Sequence, residues 1–184
     1  MAPFEVIAGL KNELDFRLVS DSFVTLFWSR SVLKDTTEWL LDHGYLVVWI
    51  DTSGWRDDAD MHRDFADGME FPKHYDESFD GLNDCLGDVV AYEYGSDPEA
   101  TGLVLVLLGY DGFLGASPES SRTLLDIFAR QAREGALIGH RMMCLVQSDD
   151  PYLEIGTIGA SPVWWNDAEW HSTKRGVIAP RVGV

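Results

Sequence analysis

Three short apolar runs set the strongest limit on how this chain can fold. They are Tyr45–Ile50, Leu103–Leu108 and Met142–Val146. Each run is apolar at successive positions, so both faces of an extended strand would be hydrophobic. Such strands are typical of parallel sheets that are covered by helices on both faces. Because helical patterns separate the runs, the sequence predicts an α/β fold in the order β-α-α-β-α-β, with a three-stranded parallel sheet packed with helices.

The segments between the runs carry helix signals. After the first run, Asp57 or Asp58 can cap a helix in which apolar residues recur every four positions. Those residues are Met61, Phe65 and Met69. Between the second and third runs, Ser117-Pro118-Glu119 is typical of a helix start, with a cap, a proline and an early acid. The buried stripe predicted for that helix comprises Leu124, Leu125, Ile127, Phe128 and Ala132. Gly135 can end it.

The N-terminal part of the chain lies outside this unit. Phe16–Val19 and Phe23–Trp28 flank Ser20-Asp21-Ser22, which predicts a β-hairpin. The helix predicted next covers Ser31–His43. Its capping pair and its end signal are Asp35, Glu38 and Gly44.

The C-terminal part lies outside the unit as well. Tyr152–Ile158 has the pattern of a further strand, and from Asn166 onward we expect a flexible tail, because the sequence turns polar and then basic. The chain therefore divides into an N-terminal extension at residues 1–44, a central α/β domain at 45–150 and a C-terminal extension at 151–184. The extensions can brace the sheet or add contact surface, and the sequence does not choose between these roles.

A strong negative charge limits what the protein can bind. The formal net charge is −17, and residues 51–100 hold 15 acidic residues against three basic ones. Nucleic acids and anionic membranes attract basic proteins, so we expect neither as a partner. A negative field instead speeds association with a basic protein surface, and salt weakens the effect.

Nothing in the sequence indicates export or membrane insertion. The start of the chain lacks a basic segment followed by a continuous apolar one, so we expect no signal peptide, and no apolar run approaches 18 residues. We therefore expect a cytoplasmic protein. Cys85 and Cys144 would allow a disulfide, but buried free thiols are the favoured interpretation.

Residues 71–88 carry an unusual concentration of carboxylates. At about 100° per residue they predict a short helix with one apolar and one acidic face. The apolar face comprises Phe79, Leu82, Cys85 and Leu86. The acidic face comprises Asp76, Glu77, Asp80, Asp84 and Asp88, in which the pairs Asp76/Asp80, Asp80/Asp84 and Asp84/Asp88 are four residues apart. Like charges at that spacing repel each other. Two interpretations stay open: a solvated face, or a surface shaped for a cation-lined partner.

The chain lacks the motifs of common enzyme classes. It has no phosphate-binding loop, zinc-protease motif or nucleophile elbow, and its five histidines do not pair at metal-ligand spacing. Asp80 and Asp84 could act as an acid–base pair, but they lie on a predicted exposed face without the apolar neighbours that tune such pairs. We therefore expect no enzyme activity, no metal and no cofactor.

His74 and Tyr75 lie directly before the acidic helix. In one interpretation Tyr75 packs the approach loop onto the core while His74 is solvated. In the other, one of these rings reaches a partner, because planar aromatic groups supply contact area at low entropic cost. The sequence leaves both open.

The segment Tyr75–Leu86 resembles the inhibitory helix of the barstar family, the cytosolic inhibitors of secreted microbial ribonucleases. The family pattern runs approximately P-x-Y-Y-G-x-N-[LF]-D-A-L-x-D-C-L. This chain matches it at Pro72, Tyr75, Phe79, Asp80, Leu82, Asp84, Cys85 and Leu86. The resemblance extends over about Tyr45–Gln147. It implies a barstar-like three-stranded parallel sheet packed with helices, to which the N-terminal hairpin and helix and the C-terminal extension are added.

The resemblance also implies a function. The carboxylate of Asp84 would enter the phosphate pocket of a ribonuclease and meet catalytic Arg and His side chains, while Asp80 pairs with a further basic group. The protein would then be an immunity protein that forms a 1:1 complex with a secreted bacterial guanyl-type ribonuclease. The residues expected at the interface are His74, Tyr75, Asp76, Glu77, Asp80, Asn83, Asp84, Gly87 and Asp88. The alternative is a barstar-like interaction or regulatory module whose partner is not a ribonuclease.

Several positions depart from the family pattern. Asp76 replaces a glycine before the helix, His74 replaces a frequent aromatic residue, and Ser78 replaces an asparagine. Asn83 stands where the family prototype has tryptophan, and Arg130 aligns with an acidic contact of the prototype. These departures imply that the two-aspartate centre is kept while the surrounding surface suits a different nuclease.

Overall fold

The computed structural model describes residues 13–176. The helices in this range are α1 (Leu14–Val19), α2 (Arg30–Asp42), α3 (Asp58–Gly68), α4 (Phe79–Val90), α5 (Tyr110–Ala116), α6 (Pro118–Ile138) and a short 3₁₀ helix at Ser172–Arg175. The strands are β1 (Val24–Phe27), β2 (Leu46–Asp51), β3 (Leu103–Leu108), β4 (Met142–Gln147), β5 (Thr157–Ile158), β6 (Ser161–Pro162) and β7 (Trp164–Trp165).

A parallel sheet of five strands organises these elements, in the order β2-β3-β4-β1-β7. Its strands β2, β3 and β4 arise from the three apolar runs. They pair side by side, with Val48 opposite Leu105 and Leu105 opposite Cys144. The predicted α/β fold with a parallel sheet and covering helices is therefore confirmed. Two further strands, β1 and β7, extend the sheet beyond β4.

Alternate residues of the strands fill two separate layers of core. Leu103, Leu105 and Leu107 of β3 face the layer that is covered by α3, α4, α5 and α6. Val104 and Val106 face the layer that is covered by α1 and α2. Full burial of one such side chain contributes about 1.5–3 kcal/mol. The layering therefore requires strands that are apolar on both faces, and it places α4 on the outside of one layer.

The predicted N-terminal hairpin is wrong. Phe16–Val19 belongs to α1, where Leu14 and Leu18 share one face and Leu18 is buried. Phe23–Trp28 does contain a strand, but that strand lies parallel to β4 instead of antiparallel to its neighbour in sequence. A short strand such as Val24–Phe27 is compatible with either arrangement, and only its pairing with a distant strand decides between them.

The start of α2 differs from the prediction, whereas that of α3 agrees with it. Ser29 caps α2, and its hydroxyl accepts a hydrogen bond from the N–H of Val32 (3.4 Å). Asp35 and Glu38 therefore lie inside α2 and do not cap it. Asp57 caps α3 as one of the two predicted candidates, with its carboxylate accepting from the N–H of Asp60 (3.1 Å).

The long helix α6 has the predicted start and buried stripe but a later end. Its apolar stripe is buried throughout, whereas Gly135 lies inside the helix. The helix ends at Gly139, whose φ of 91° is a conformation that glycine adopts without strain. The sequence did not predict α5, because Gly112 and Gly115 make its seven residues resemble a loop.

The C-terminal extension differs from the predicted single strand at Tyr152–Ile158, because it supplies a short strand pair and one strand of the main sheet. Of the predicted strand Tyr152–Ile158, only Thr157–Ile158 is extended, in an antiparallel pair with β6. The chain then returns to the main sheet, where β7 lies beside β1. The division at residues 44 and 150 remains a prediction, although both extensions supply strands to the same sheet.

The flexible tail predicted from Asn166 is wrong for residues 166–176. The buried carboxylate of Glu169 accepts hydrogen bonds from the N–H groups of Trp28 (3.0 Å) and Ser29 (2.7 Å). Arg175 donates to the carbonyl oxygen of Glu169 (2.6 Å) and lies over the ring of Trp165. These contacts tie the segment to the end of β1. The rest of that prediction, residues 177–184, lies outside the described residues.

Two further expectations concern the thiols and the membrane. Cys85 and Cys144 are both buried and free, as favoured by the sequence. In the part of the chain that the structure describes, the helices are too short or too polar to cross a bilayer.

Candidate protein-binding site

The start of α4 is a tight capping turn. Ser78 is the N-cap, and its hydroxyl accepts a hydrogen bond from the N–H of Gly81 (3.0 Å). The carboxylate of Asp76 in turn accepts from the hydroxyl (2.7 Å) and the N–H (3.1 Å) of Ser78. The hydroxyl bond, followed by the N–H bond, lowers the pKa of Asp76 below its ordinary value. A Cβ on residue 81 would lie 2.2 Å from Oδ1 of Asp76, so a larger residue there would displace this carboxylate from its present position.

This turn changes the role predicted for Asp76. The helix begins at Phe79, so Asp76 and Glu77 precede it and the predicted helical pair Asp76/Asp80 is wrong. Glu77 has a φ of 54°, which breaks the helical path before the cap. The pairs Asp80/Asp84 and Asp84/Asp88 do lie within α4 as predicted.

The two faces of α4 are separated as the sequence predicted. Leu82, Cys85 and Leu86 are buried, and Phe79 packs partly buried against the core. Asp80, Asp84 and Asp88 are exposed on the other side. Successive carboxylates are about 6 Å apart along the axis, since a helix rises 1.5 Å per residue. Among residues 13–176, no basic side chain approaches these three carboxylates within 4.0 Å.

The loop before α4 is fastened to the core by Tyr75. Its hydroxyl shares a hydrogen bond with Nδ1 of His62, a buried residue of α3. Its ring packs edge-on against Phe71, with ring centres 5.1 Å apart. Burial lowers the pKa of His62, while the carboxylates of Asp58, Glu77 and Asp76 oppose that shift. In the unbound protein Tyr75 therefore packs the loop onto the core, and His74 is exposed beside it.

On one flank, the acidic face is joined to the loop after α4. The hydroxyl of Tyr94 donates to the carboxylate of Asp88 (3.0 Å) and can donate to the carbonyl oxygen of Cys85 (3.3 Å). Burial, together with these two neighbours, raises the pKa of Tyr94. Asp88 is thus held by a neutral donor, whereas no comparable tyrosine contact holds Asp80 or Asp84 in the described chain.

On the other flank, α4 contacts α6 through Asn83. Oδ1 of Asn83 accepts hydrogen bonds from the guanidinium of Arg130 and from Nε2 of Gln131 (2.8 Å). Nε2 of Gln131 also lies 3.2 Å from the backbone oxygen of Asn83. One turn further along α4, Gly87 leaves room beside Gln131, where a Cβ would lie 3.7 Å from the amide oxygen.

The family of the chain follows from a sequence comparison. A family model described as Barstar (barnase inhibitor) matches residues 45–147. The chain belongs to the barstar family. A search of curated proteins found no match to this chain. The matched range runs from the residue before β2 to the end of β4 and includes α4, so the barstar domain carries the acidic face.

The barstar-family residues predicted at the interface lie along one surface. Six of them are exposed: His74, Asp76, Glu77, Asp80, Asp84 and Asp88. Tyr75, Asn83 and Gly87 are partly buried. Their place in an interface remains a prediction, because Tyr75 and Asn83 also have contacts within the protein that explain their positions.

Sequence reasoning missed the residues that hold this surface in place. His62 was not connected with Tyr75, nor Gln131 with Asn83, and Asp76 was assigned to the acidic face instead of to the cap. The Asp76-x-Ser78 spacing is a local signal that could have predicted the cap. No local signal predicts a contact between residues 47 or 48 positions apart.

Proposed function

We propose that this protein inhibits a secreted bacterial guanyl-type ribonuclease by inserting the acidic face of α4 into the nuclease active site in a 1:1 complex. Membership of the barstar family, the family of barnase inhibitors, supports a ribonuclease-inhibitor role. The observation that carries the proposal is the pair Asp80 and Asp84, two exposed carboxylates one turn apart without a basic partner in residues 13–176.

The chemistry of the proposed inhibition is phosphate mimicry. A nuclease holds the phosphate of RNA with Arg, Lys and His donors, and a carboxylate offers the same donors two acceptor oxygens. Asp84 would occupy the phosphate pocket and Asp80 would pair with a second basic group nearby. RNA is then excluded from the site, and no covalent step is needed.

The rigidity of α4 favours tight binding. Its first turn is capped by Ser78 and Asp76, and Leu82 and Leu86 are fully buried beneath it. A surface that is ordered before binding loses little conformational entropy on association. The two carboxylates therefore keep their spacing in the free protein.

The charge of the protein favours fast binding. With a net charge of −17, it attracts a basic cleft over distances of about a Debye length, which is about 8 Å at physiological ionic strength. We expect the association rate to fall as salt is added, because steering of this kind is screened.

An inhibition assay tests the proposal. RNA cleavage by barnase and by other secreted guanyl-type ribonucleases is measured with the wild type and with Asp84→Ala, Asp80→Ala and Asp84→Asn. Truncating one member of a buried charge pair costs about 2–5 kcal/mol, which is about 30-fold to several thousand-fold in affinity. We expect a loss in this range for Asp84→Ala and a smaller one for Asp80→Ala.

The matched control is Asp42→Ala. Asp42 is an exposed acid at the end of α2, on the opposite side of the sheet, so its replacement changes the net charge equally without touching α4. Inhibition should survive this change. Equal losses of affinity for Asp42→Ala and Asp84→Ala would show that net charge alone explains the effect, and would contradict insertion of α4.

The cellular role follows from the same proposal. A producing cell needs a cytoplasmic immunity protein before its ribonuclease is exported, and a neighbouring gene for a secreted nuclease would support that role. If the wild type inhibits no ribonuclease in a broad panel, the proposal fails. The domain would then be an interaction or regulatory module for a partner of another kind.

A further inference from the structure

A neighbouring helix supplies a cationic group at the border of the acidic face of α4. From His74 to Ser121 the sequence contains no Lys or Arg, so α4 and the loop after it supply no such group, and the loop before it supplies Lys73. The guanidinium comes from Arg130 of α6, which donates a hydrogen bond to Oδ1 of Asn83. Asn83 lies about 60° around the helix from Asp80, at 100° per residue. The positive charge is therefore held at one edge of the acidic face.

Asn83 connects this cation to the acidic pair. Its Oδ1 accepts from both Arg130 and Gln131, which leaves its Nδ2 group pointing toward Oδ1 of Asp84 at 3.4 Å. Gln131 is only 5% exposed, so it fixes the amide from the buried side. Replacement of the asparagine by an apolar residue would release both the cation and this contact with Asp84.

The guanidinium remains available to a partner. Arg130 is exposed, and its bond to Asn83 uses one of the five N–H groups of an arginine. Asp126 and Glu134 lie one turn away on the same helix. Neither approaches Arg130 within 4.0 Å, and no other acid between residues 13 and 176 does so.

We propose that Arg130 is a specificity-determining contact, which pairs with a carboxylate at the edge of the basic cleft of the target ribonuclease. This inference rests on the proposed function. Packed helices are 8–10 Å apart, so a nuclease that receives Asp80 and Asp84 also meets Arg130. An edge that is basic would be repelled there, whereas a carboxylate would form a strong, bidentate charge-assisted pair.

The target surface therefore has two signs of charge: a basic cleft for α4 and an acidic edge for α6. Such a pattern selects partners both by attraction and by repulsion. Ribonucleases with a basic cleft and a basic edge are disfavoured, even though the net charge of the inhibitor attracts them.

Charge reversal at position 130 tests the inference, because attraction through net charge and a specific ion pair predict opposite changes in affinity. Arg130→Glu makes the protein more acidic by two charges. If the edge of the cleft is basic, this variant binds faster and more tightly. If Arg130 pairs with a carboxylate as proposed, Arg130→Glu binds at least tenfold more weakly than the wild type to the ribonuclease that the wild type inhibits most tightly.

Lys34→Glu is the matched control. Lys34 is exposed on α2, on the opposite side of the sheet, where it pairs with Glu38 (3.4 Å). The reversal changes the net charge equally, and we expect binding to be unchanged or slightly faster. Arg130→Lys keeps the charge without the planar fork and should retain more affinity than Arg130→Glu. Urea unfolding of each variant checks that the fold is intact.

The outcomes separate the inference from the function. If Asp84→Ala abolishes inhibition but Arg130→Glu binds equally or more tightly, the inference is overturned and the proposed function stands. If the wild type inhibits none of the ribonucleases, the proposed function and this inference are both overturned. A loss with Arg130→Glu that Lys34→Glu does not share supports the acidic edge.

Discussion

Glu169→Ala should destabilise the protein by about 3 kcal/mol. Glu169 is 2% exposed, and its carboxylate accepts hydrogen bonds from the N–H groups of Trp28 and Ser29 and from the amide of Asn166. The substitution leaves two backbone N–H groups without an acceptor at the start of α2. A buried donor without an acceptor costs about 1–3 kcal/mol, so about 3 kcal/mol is a moderate value for the two together.

Urea unfolding followed by tryptophan fluorescence measures this loss, since Trp28 and Trp165 lie at the same junction. In a thermal scan the same loss should lower Tm by about 6–12 °C, because 1 kcal/mol corresponds to about 2–4 °C for a chain of this size. Glu169→Gln keeps one acceptor oxygen and should lie between the wild type and Glu169→Ala.

Asp167→Ala is the control for this prediction. Asp167 is a close neighbour whose side chain is 69% exposed and forms an ion pair with Arg17 (3.2 Å). Exposed pairs of this kind contribute about 0–1 kcal/mol. If Glu169→Ala costs no more than Asp167→Ala, residues 164–176 are not docked on the end of β1, and the correction to the predicted flexible tail is itself wrong.

Two further predictions concern the site. Because burial lowers the pKa of His62, the neutral ring stabilises the fold above the ordinary pKa of 6.5, and this contribution is lost as the pH falls through the lowered folded-state value. The free energy of unfolding, measured in urea between pH 7 and 5, should therefore fall by up to about 1.4 kcal/mol per pH unit. In His62→Gln it should fall less steeply, and identical slopes in the two proteins would contradict the role of His62. Gly87→Ala should raise the free energy of unfolding by about 0.5–1 kcal/mol, because alanine favours the helix more than glycine does and its Cβ would meet Gln131 at an ordinary distance of 3.7 Å. If residue 87 lies in the interface, calorimetric titration of this variant with an inhibited ribonuclease should show weaker binding.

The successful predictions concern burial that repeats along one element. Met61 and Phe65 of α3, the stripe of α6 and residues 103–107 of β3 are all buried where their spacing indicated. Exposure of Asp80 and Asp84 was predicted in the same way, because a helix with one apolar face presents the other to water. Each of these properties depends on residues only a few positions apart.

The failures concern which element a segment packs against. Phe23–Trp28 was recognised as a strand, but its partner β4 lies more than a hundred residues further along the chain. Polar composition after Asn166 suggested a free tail, and the burial of Glu169 at the end of β1 and of Arg175 over Trp165 reverses that conclusion. Composition describes the average solvation of a segment, whereas docking depends on individual hydrogen bonds.

The α/β architecture of residues 45–147 and the acidic face of α4 could be predicted from the sequence, because periodic burial and charge are properties of single elements. The three-dimensional packing was needed to establish that Val24–Phe27 and Trp164–Trp165 join the sheet, that Tyr75 is held by His62, and that Arg130 meets Asn83. Each of these contacts joins side chains or strands of separate elements. Their geometry is set by how the layers pack, and no repeating pattern along the chain records it.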